Sequence, residues 1–436
     1  MLYGTDALKD GRPADVVVLP GNTLEVANIA TLCHESQIPL TPRGAGTGYS
    51  GGAVPIHGGV VIALDRFDRI LEIDKANLLA VVQPNVVNGT LQKAVESQGL
   101  FYPPDPASLS QSVLGGNVAE CAGGPRAFKY GTTKRYVLGL EAVLPTGEII
   151  RTGGRTVKNV VGYDLTQLLV GSEGTLAIVT EIILRLLPKP PDSRTLRAVF
   201  PDVETAIAAT LQLTDAGVIP AALELLDRNC LELMAEVDRA LLSPKSGAVV
   251  LLVEVDGTTV SVEEEMVRVH DICRQSNASD IRVANDVREM AVLWQVRRDL
   301  SLELRKKAPR KINHDVVVPR SSISLLLKFV DALCEQFKLR VACFGHVGDG
   351  NIHVNFLVDP ANKSEMDRAL IAEARLFEKV VALDGSISGE HGIGFTKSKY
   401  VELELSRETI DVMRRVKKAF DPNGILNPGK IFSEKK

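Results

Sequence analysis

The chain carries seven histidines in 436 residues. Two of them stand in one short segment, Cys343-Phe344-Gly345-His346-Val347-Gly348-Asp349-Gly350-Asn351-Ile352-His353-Val354-Asn355-Phe356. Asp349-Gly350 between β-like flanks is a type I′ hairpin signal. Centring the turn there sets His346 directly opposite His353, with Cβ atoms about 4.5–5.5 Å apart on one sheet face. Both imidazoles can then reach one metal ion, and Asn355 shares that face. A cross-strand histidine pair with no ligand is the alternative. A third histidine lies in Ser388-Gly389-Glu390-His391-Gly392-Ile393-Gly394, where glycines on both sides leave Glu390 and His391 open to approach. His346, His353 and Glu390 make a divalent-cation set with open positions for substrate oxygens. The adjacent His391 is then a candidate general base.

Arg297 is one more residue that stands out. A helix is predicted from about Val287 to Lys306, and Met290, Leu293, Trp294, Leu300 and Leu304 mark its buried stripe. Arg297 lies on that stripe while Arg298 points away. A buried guanidinium needs an anion, either a structural Asp or Glu or the carboxylate of a substrate.

A second chemistry is written in glycine. Pro42-Arg43-Gly44-Ala45-Gly46-Thr47-Gly48-Tyr49-Ser50-Gly51-Gly52 holds five glycines in nine residues after the β-like run Ile38 to Thr41. Bare backbone of this kind turns N–H groups inward as a cradle for a pyrophosphate. Gly46 to Gly51 fits G-x-G-x-x-G, yet that nicotinamide fingerprint requires a helix to follow. Gly52-Ala53-Val54-Pro55-Ile56-His57-Gly58-Gly59 cannot start one, so this is a phosphate loop of a different kind. Further clusters stand at 115–124, 153–154 and 171–174, and several in one region suit a long dinucleotide.

The elements that position these residues are expected to form two or three domains, given the length. Residues 1–191 read as α+β. Strands are predicted at Val16–Leu19, Val60–Leu64, Leu79–Gln83, Leu138–Leu144, Glu148–Ile150 and Leu176–Leu187, with helices at 23–36 (Thr23 as N-cap) and 87–99. Leu176, Ile178, Thr180, Ile182, Leu184 and Leu186 share one face of the last strand. Pro188-Lys189-Pro190-Pro191 is a stiff joint. Residues 192–390 alternate helices (203–216, 261–277) with strands (248–255, 340–344), which suggests an antiparallel sheet with helices on one face. Residues 391–436 form a C-terminal segment with a helix at 406–420.

Composition excludes several classes. Apolar residues make up 45% and the net charge is −4, with no long basic run, so nucleic acid is not the expected partner. No apolar stretch approaches a membrane span, and no secretory h-region stands at the N-terminus. Six cysteines without a C-x-x-C pair encode neither an iron–sulfur site nor a zinc knuckle and suit a reducing cytoplasm.

Together, the 42–52 loop, Pro103-Pro104-Asp105-Pro106-Ala107-Ser108, the 115–124 run GGNVAECAGG and Gly171-Ser172-Glu173-Gly174-Thr175-Leu176 resemble the FAD-binding half of the vanillyl-alcohol-oxidase (PCMH-type) superfamily. More narrowly the chain resembles its D-2-hydroxyacid dehydrogenase branch, which includes glycolate and D-lactate dehydrogenase catalytic subunits, over nearly its whole length. The resemblance implies a PCMH-type domain of two α+β subdomains and a substrate (cap) domain. It assigns Arg43, Gly44, Ala45, Gly46, Thr47 and Gly48 to the pyrophosphate. Pro104, Gly115, Gly116, Asn117, Gly123 and Gly124 would line the flavin, with Glu173, Gly174 and Ile178 completing the pocket. No histidine lies within 42–52, so FAD is expected to be non-covalent, and His57 reads as an exposed turn residue. The resemblance assigns His346, His353 and Glu390 to Zn²⁺ (Mn²⁺ or Fe²⁺ as alternatives), His391 to the substrate hydroxyl proton, and Arg297 to the substrate carboxylate, with Asn355 and, more weakly, Lys311 in the same pocket.

The expected reaction is oxidation of a D-2-hydroxy acid to the 2-oxo acid, with hydride passing to the flavin. The acceptor beyond is separate: an iron–sulfur subunit, an electron-transfer flavoprotein or a quinone. A homodimer or hetero-oligomer, peripheral to the membrane through partner subunits, is compatible. Two other readings stand beside it, a non-catalytic flavin-binding accessory subunit and a zinc hydrolase with the glycine loops as scaffold.

Overall fold

The computed structural model describes residues 2–8, 11–234 and 249–433. The chain forms two compact units. One comprises Met1–Gly124, Gly131–Lys189 and Glu390–Lys436, the other Pro125–Tyr130 and Pro190–Gly389.

In the first unit, β1 (Val16–Val18), β2 (Leu40–Arg43) and β3 (Val60–Ala63) form a parallel sheet in the order β1-β3-β2. Helix α1 (Thr23–Glu35) connects β1 to β2. Its cap is Asn22 rather than the expected Thr23. The Asn22 carboxamide accepts the Glu25 N–H, Glu25 reaches back to the Gly21 N–H, and the Thr23 hydroxyl instead donates to Glu141. A five-stranded antiparallel sheet runs β4 (Ile70–Asp74), β5 (Leu79–Val82), β9 (Ile178–Arg185), β7 (Val137–Val143), β8 (Ile149–Gly153). Ile178, Thr180, Ile182 and Leu184 of β9 are buried while the intervening residues are partly exposed, as a period-two pattern requires. The short β6 (Leu100–Phe101) and β10 (Leu187–Pro188) pair antiparallel. Helices α2 (Asn88–Glu96) and α3 (Leu114–Glu120) follow β5 and β6, and the short α4 (Ala127–Tyr130, a part of the second unit) and α5 (Leu165–Leu169) precede β7 and β9 in the chain. Residues 44–59 contain no helix between β2 and β3, which removes the nicotinamide-type phosphate helix. The core joins Val26, Ala30, Leu40, Ile62, Val143 and Ile178 to Ile425 and Leu426 of the C-terminal segment.

The second unit is a seven-stranded antiparallel sheet, β14 (Asp280–Val283), β11 (Asp192–Phe200), β13 (Val249–Gly257), β12 (Ala222–Leu226), β16 (Arg340–His346), β17 (Asn351–Val358) and β15 (Arg310–Val317). Helices α6 (Val203–Asp215), α8 (Thr259–Gln275), α10 (Ile323–Phe337) and α11 (Lys363–Ala382) pack side by side as one layer, with Phe377 of α11 against His314 and beside Phe356 on one sheet face. The expectation of helices on a single face is corrected by α7 (Arg228–Met234) and above all by α9 (Val287–Lys306). Its Leu293, Leu300 and Leu304 pack against Val199, Leu226, Val250, Leu252 and Phe344, which belong to the opposite face. That face also carries polar residues, so it takes an apolar stripe at one end and leaves the other end for chemistry. Among the described residues no helix is long and apolar enough to cross a membrane.

Candidate active site

The register of the β16–β17 hairpin differs from the expected one. His353 faces Phe344 and His346 faces Asn351, so the two histidines are diagonal neighbours rather than opposed. The loop has four residues, Val347 to Gly350, closed on the His346 carbonyl by the Asp349 and Gly350 N–H groups. Two tertiary contacts select it over the two-residue turn. The Val318 N–H beyond β15 donates to the Gly350 carbonyl, and the Phe128 ring fills the space beside Gly348. A shift of two residues keeps the side-chain face. His346 and His353 remain together, their ring centroids 5.4 Å apart and edge to face, each 5% exposed.

Three further residues share that face. Glu224 of β12, opposite His346, is fully buried. One carboxylate oxygen pairs with His346 Nδ1, and the other accepts the Arg297 Nε–H at 2.5 Å. Burial raises the Glu224 carboxyl, but Arg297 and His346 outweigh it and hold the group below the ordinary range. Asp315 of β15 stands opposite His353, with Oδ1 3.9 Å from its Nδ1. Asp315 also accepts from Asn351 Nδ2 at 2.6 Å and from the Gly389 N–H at 2.9 Å. Asn355 donates through Nδ2 to the Ala342 and His353 carbonyls, while its Oδ1 is buried with no partner among the described residues, as is Oδ1 of Asn313 directly across. Orphaned amide oxygens in a dry place invite a polar ligand.

Arg297 thus has the structural anion that sequence reasoning left open, and its side chain also stacks over Phe344 at 4.6 Å. The Glu224 bond uses Nε. Lys311 donates to Ser301 Oγ of α9 at 2.6 Å. Burial, then Arg305 and Arg297, push its pKa down to about 7.

In the first unit, the glycine loop leaves the end of β2. Arg43 is buried beneath it, its guanidinium donating to the Ala53 carbonyl, so the upper surface is backbone. Gly46 has φ +67°, and a Cβ there would strike the Arg43 guanidinium at 2.2 Å. A Cβ on Gly48 would meet nothing within 4 Å, and one on Gly116 only Val113 at 3.8 Å. Those two open edges fit a flat group lying on the backbone. Asn117 donates to Asn88, which donates to the Pro104 carbonyl, so this pair braces the wall from behind. Gly115 backs onto Pro84, Gly124 onto Asp105 and Gly174 onto Pro42. Ala45 is exposed and Thr47 partly so, and Ile178 sits in the core. His57 is exposed in a turn.

Glu173 has a definite task. Its two oxygens accept the Ile393 N–H at 2.7 Å and the Gly394 N–H at 2.6 Å. Burial pushes its carboxyl up against the opposing effect of these bonds. The segment it holds carries His391, whose ring stacks on Tyr49 of the glycine loop at 5.0 Å, while Phe395 donates its N–H to the Ser50 carbonyl. Glu390 Oε2 lies 2.9 Å from where a Gly123 Cβ would be. Glu390 and His391 are therefore packed among residues read as cofactor wall. The peptide bond before Glu390 leads to Gly389, the residue held by Asp315.

Sequence reasoning did not single out Glu224, Tyr49 or Asp315 for a role. Glu224 leaves one signal, a lone carboxylate inside the otherwise apolar run Ala222-Leu223-Glu224-Leu225-Leu226.

A family model described as "FAD binding domain" matches residues 14–153, and one described as "FAD linked oxidases, C-terminal domain" matches residues 189–431. The glycolate oxidase subunit GlcD of Bacillus subtilis is 44% identical, covering 100% of this chain and 92% of that protein. A D-lactate dehydrogenase of Anaerostipes hadrus is 38% identical over 96% of this chain and 90% of its own length. Among solved structures, p-cresol methylhydroxylase with substrate bound superposes with a TM-score of 0.80 at 17% identity, covering 96% of this chain and 88% of that one. That likeness concerns the fold alone. With a matched FAD-binding half and a matched oxidase half, the reading as a hydrolase with scaffold loops falls away, and the chain belongs to the PCMH-type FAD-linked oxidases as an FAD-dependent oxidoreductase.

Proposed function

We propose that the protein oxidises a small D-2-hydroxy acid, of the glycolate or D-lactate type, to the 2-oxo acid and hands the electrons to a separate acceptor. The observation that carries this reading is the place of His391, stacked on Tyr49 of the glycine loop and held there by Glu173. A proton acceptor beside a dinucleotide cradle suits oxidation of an alcohol carbon.

FAD held without a covalent bond on the 43–48 backbone and the Gly116 edge supplies a two-electron acceptor for the substrate's α-hydrogen. A divalent cation, Zn²⁺ by donor chemistry with Mn²⁺ or Fe²⁺ as alternatives, supplies Lewis acidity toward the hydroxyl. His346, His353 and Glu390 are the residues that would hold it. The two buried imidazoles, edge to face with centroids 5.4 Å apart, support that assignment. Arg297 binds the substrate carboxylate through its Nη groups, with Nε already given to Glu224. Lys311 and Asn355 add a cation and an orphaned amide oxygen on the same sheet face. His391 takes the hydroxyl proton onto its imidazole. Glu173 and Tyr49 fix the orientation of that ring.

The relatives named as glycolate oxidase subunits support a protein partner that receives the electrons, an iron–sulfur subunit or an electron-transfer flavoprotein, with a quinone as the non-protein alternative. All six cysteines are free, in keeping with a reducing, cytoplasmic setting.

Anaerobic titration of the purified yellow protein with glycolate, D-lactate, L-lactate and D-2-hydroxyglutarate, with and without chelator, tests the reading. The visible flavin band should bleach with a D-configured or achiral acid, and chelator should suppress bleaching. His391→Ala should retain FAD but lose reduction by about 10²–10⁴-fold. Wild-type-like bleaching by that variant, or no bleaching by any hydroxy acid, would overturn it.

A further inference from the structure

We infer that Glu224 is a positioning residue that sets the His346 ring for a cation and the Arg297 guanidinium for a carboxylate, so that one buried side chain tunes both halves of substrate capture. The inference rests on the proposed cation and carboxylate roles and adds a residue to which no role had been attached. Glu224 is on β12, 122 residues from His346 and 73 from Arg297, and is fully buried. Its two oxygens are divided between these partners, Oε1 to His346 Nδ1 and Oε2 to Arg297 Nε at 2.5 Å.

The chemistry follows from the atoms engaged. A carboxylate at Nδ1 draws the imidazole proton to that nitrogen, which gives Nε2 the lone pair a cation needs and fixes the ring plane. The other oxygen pins the Nε edge of a guanidinium that stacks on Phe344, so the planar fork is held rather than swinging. A carboxylate buried with a single cation would be explained by charge neutralisation alone. Division of its oxygens between a cation and an imidazole on separate elements, α9 and β16, is what points to positioning.

The test uses full-length, FAD-loaded protein and Zn²⁺ as the probe, competed against a chromophoric chelator. Wild type, Glu224→Gln and Glu224→Asp are compared for Zn²⁺ affinity, FAD content, and kcat and KM with the hydroxy acid that bleaches the flavin. Glu224→Gln should bind Zn²⁺ about 10–100-fold more weakly and raise KM at least tenfold while FAD content is unchanged. Glu224→Asp keeps the charge but is one methylene short of spanning both partners, so it should recover one of the two parameters and not both. If Glu224→Gln leaves Arg297 buried without a counter-charge and fails to fold, the double variant Glu224→Gln/Arg297→Gln removes the unpaired cation, and its Zn²⁺ affinity must still fall. Zn²⁺ affinity and KM equal to wild type in a folded variant overturn the inference alone. A wild-type protein that binds no divalent cation overturns it together with the cation reading on which it rests.

Discussion

Replacing Glu173 by Gln changes one oxygen for an amide nitrogen and leaves the backbone, at φ +53°, as it was. The strain of a left-handed glutamate is therefore common to both proteins, and only the hydrogen bonds differ. In the wild type each oxygen accepts one backbone N–H, from Ile393 at 2.7 Å and from Gly394 at 2.6 Å. Gln can accept one of them and must turn its own N–H groups toward the other. A bond to a charged acceptor contributes roughly 1.5–3 kcal/mol, and an unsatisfied buried N–H costs roughly 1–3 kcal/mol. Against this, the neutral amide relieves a buried carboxylate and its repulsion of the half-buried Glu120 nearby. We expect a net loss of about 2 kcal/mol, which lowers the melting temperature by about 5 °C for a unit of this size. The melt should be followed by flavin fluorescence, because a chain of two units need not unfold in one step. The same bonds hold His391 on Tyr49, so flavin reduction should slow about tenfold or more, since small misplacements of a reacting group carry large rate costs. A variant that melts and reduces like wild type would show that Glu173 does not hold this segment.

Gly48→Val adds a side chain where nothing lies within 4 Å; the protein should fold with an unchanged circular dichroism spectrum, yet FAD should bind at least tenfold more weakly, and undiminished FAD affinity would count against the cradle. Lys311 has its pKa lowered to about 7, so it is charged below that pH and increasingly neutral above it. KM for the hydroxy acid should rise between about pH 6 and pH 8, and Lys311→Met should flatten that limb; a flat wild-type profile would remove Lys311 from substrate binding. The same shift bears on stability with a defined sign. The folded pKa lies below the unfolded value, so the charged form costs folding free energy below pH 7, and that cost is relieved as pH rises toward the unfolded pKa. Lys311→Met should therefore be the more stable protein at low pH, which a pair of urea titrations at pH 6 and pH 9 reads directly.

Much of this protein was legible in the chain because the relevant signals are local. The β9 alternation, the helix over 287–306 and the glycine loop with no helix behind it depend on neighbours a few residues apart, and these appear in the structure where periodicity and turn chemistry put them. The common face of His346 and His353 was legible for the same reason, since side chains alternate along a strand. Their register was not. A two-residue and a four-residue turn serve the same face, and the choice was made by Val318 and Phe128, which lie far from the hairpin in sequence. Partner choice was hidden in the same way. Whether Arg297 meets a structural anion depends on a glutamate 73 residues away, and Glu173 meets its two N–H donors 220 and 221 residues on. Composition and spacing determine which chemistry the chain can hold, because residue type and local periodicity act over one turn or one strand. Which carboxylate orients which histidine, and which loop carries the candidate base to the cofactor cradle, was decided only by packing, because a buried polar group takes whatever partner the fold brings within hydrogen-bond reach.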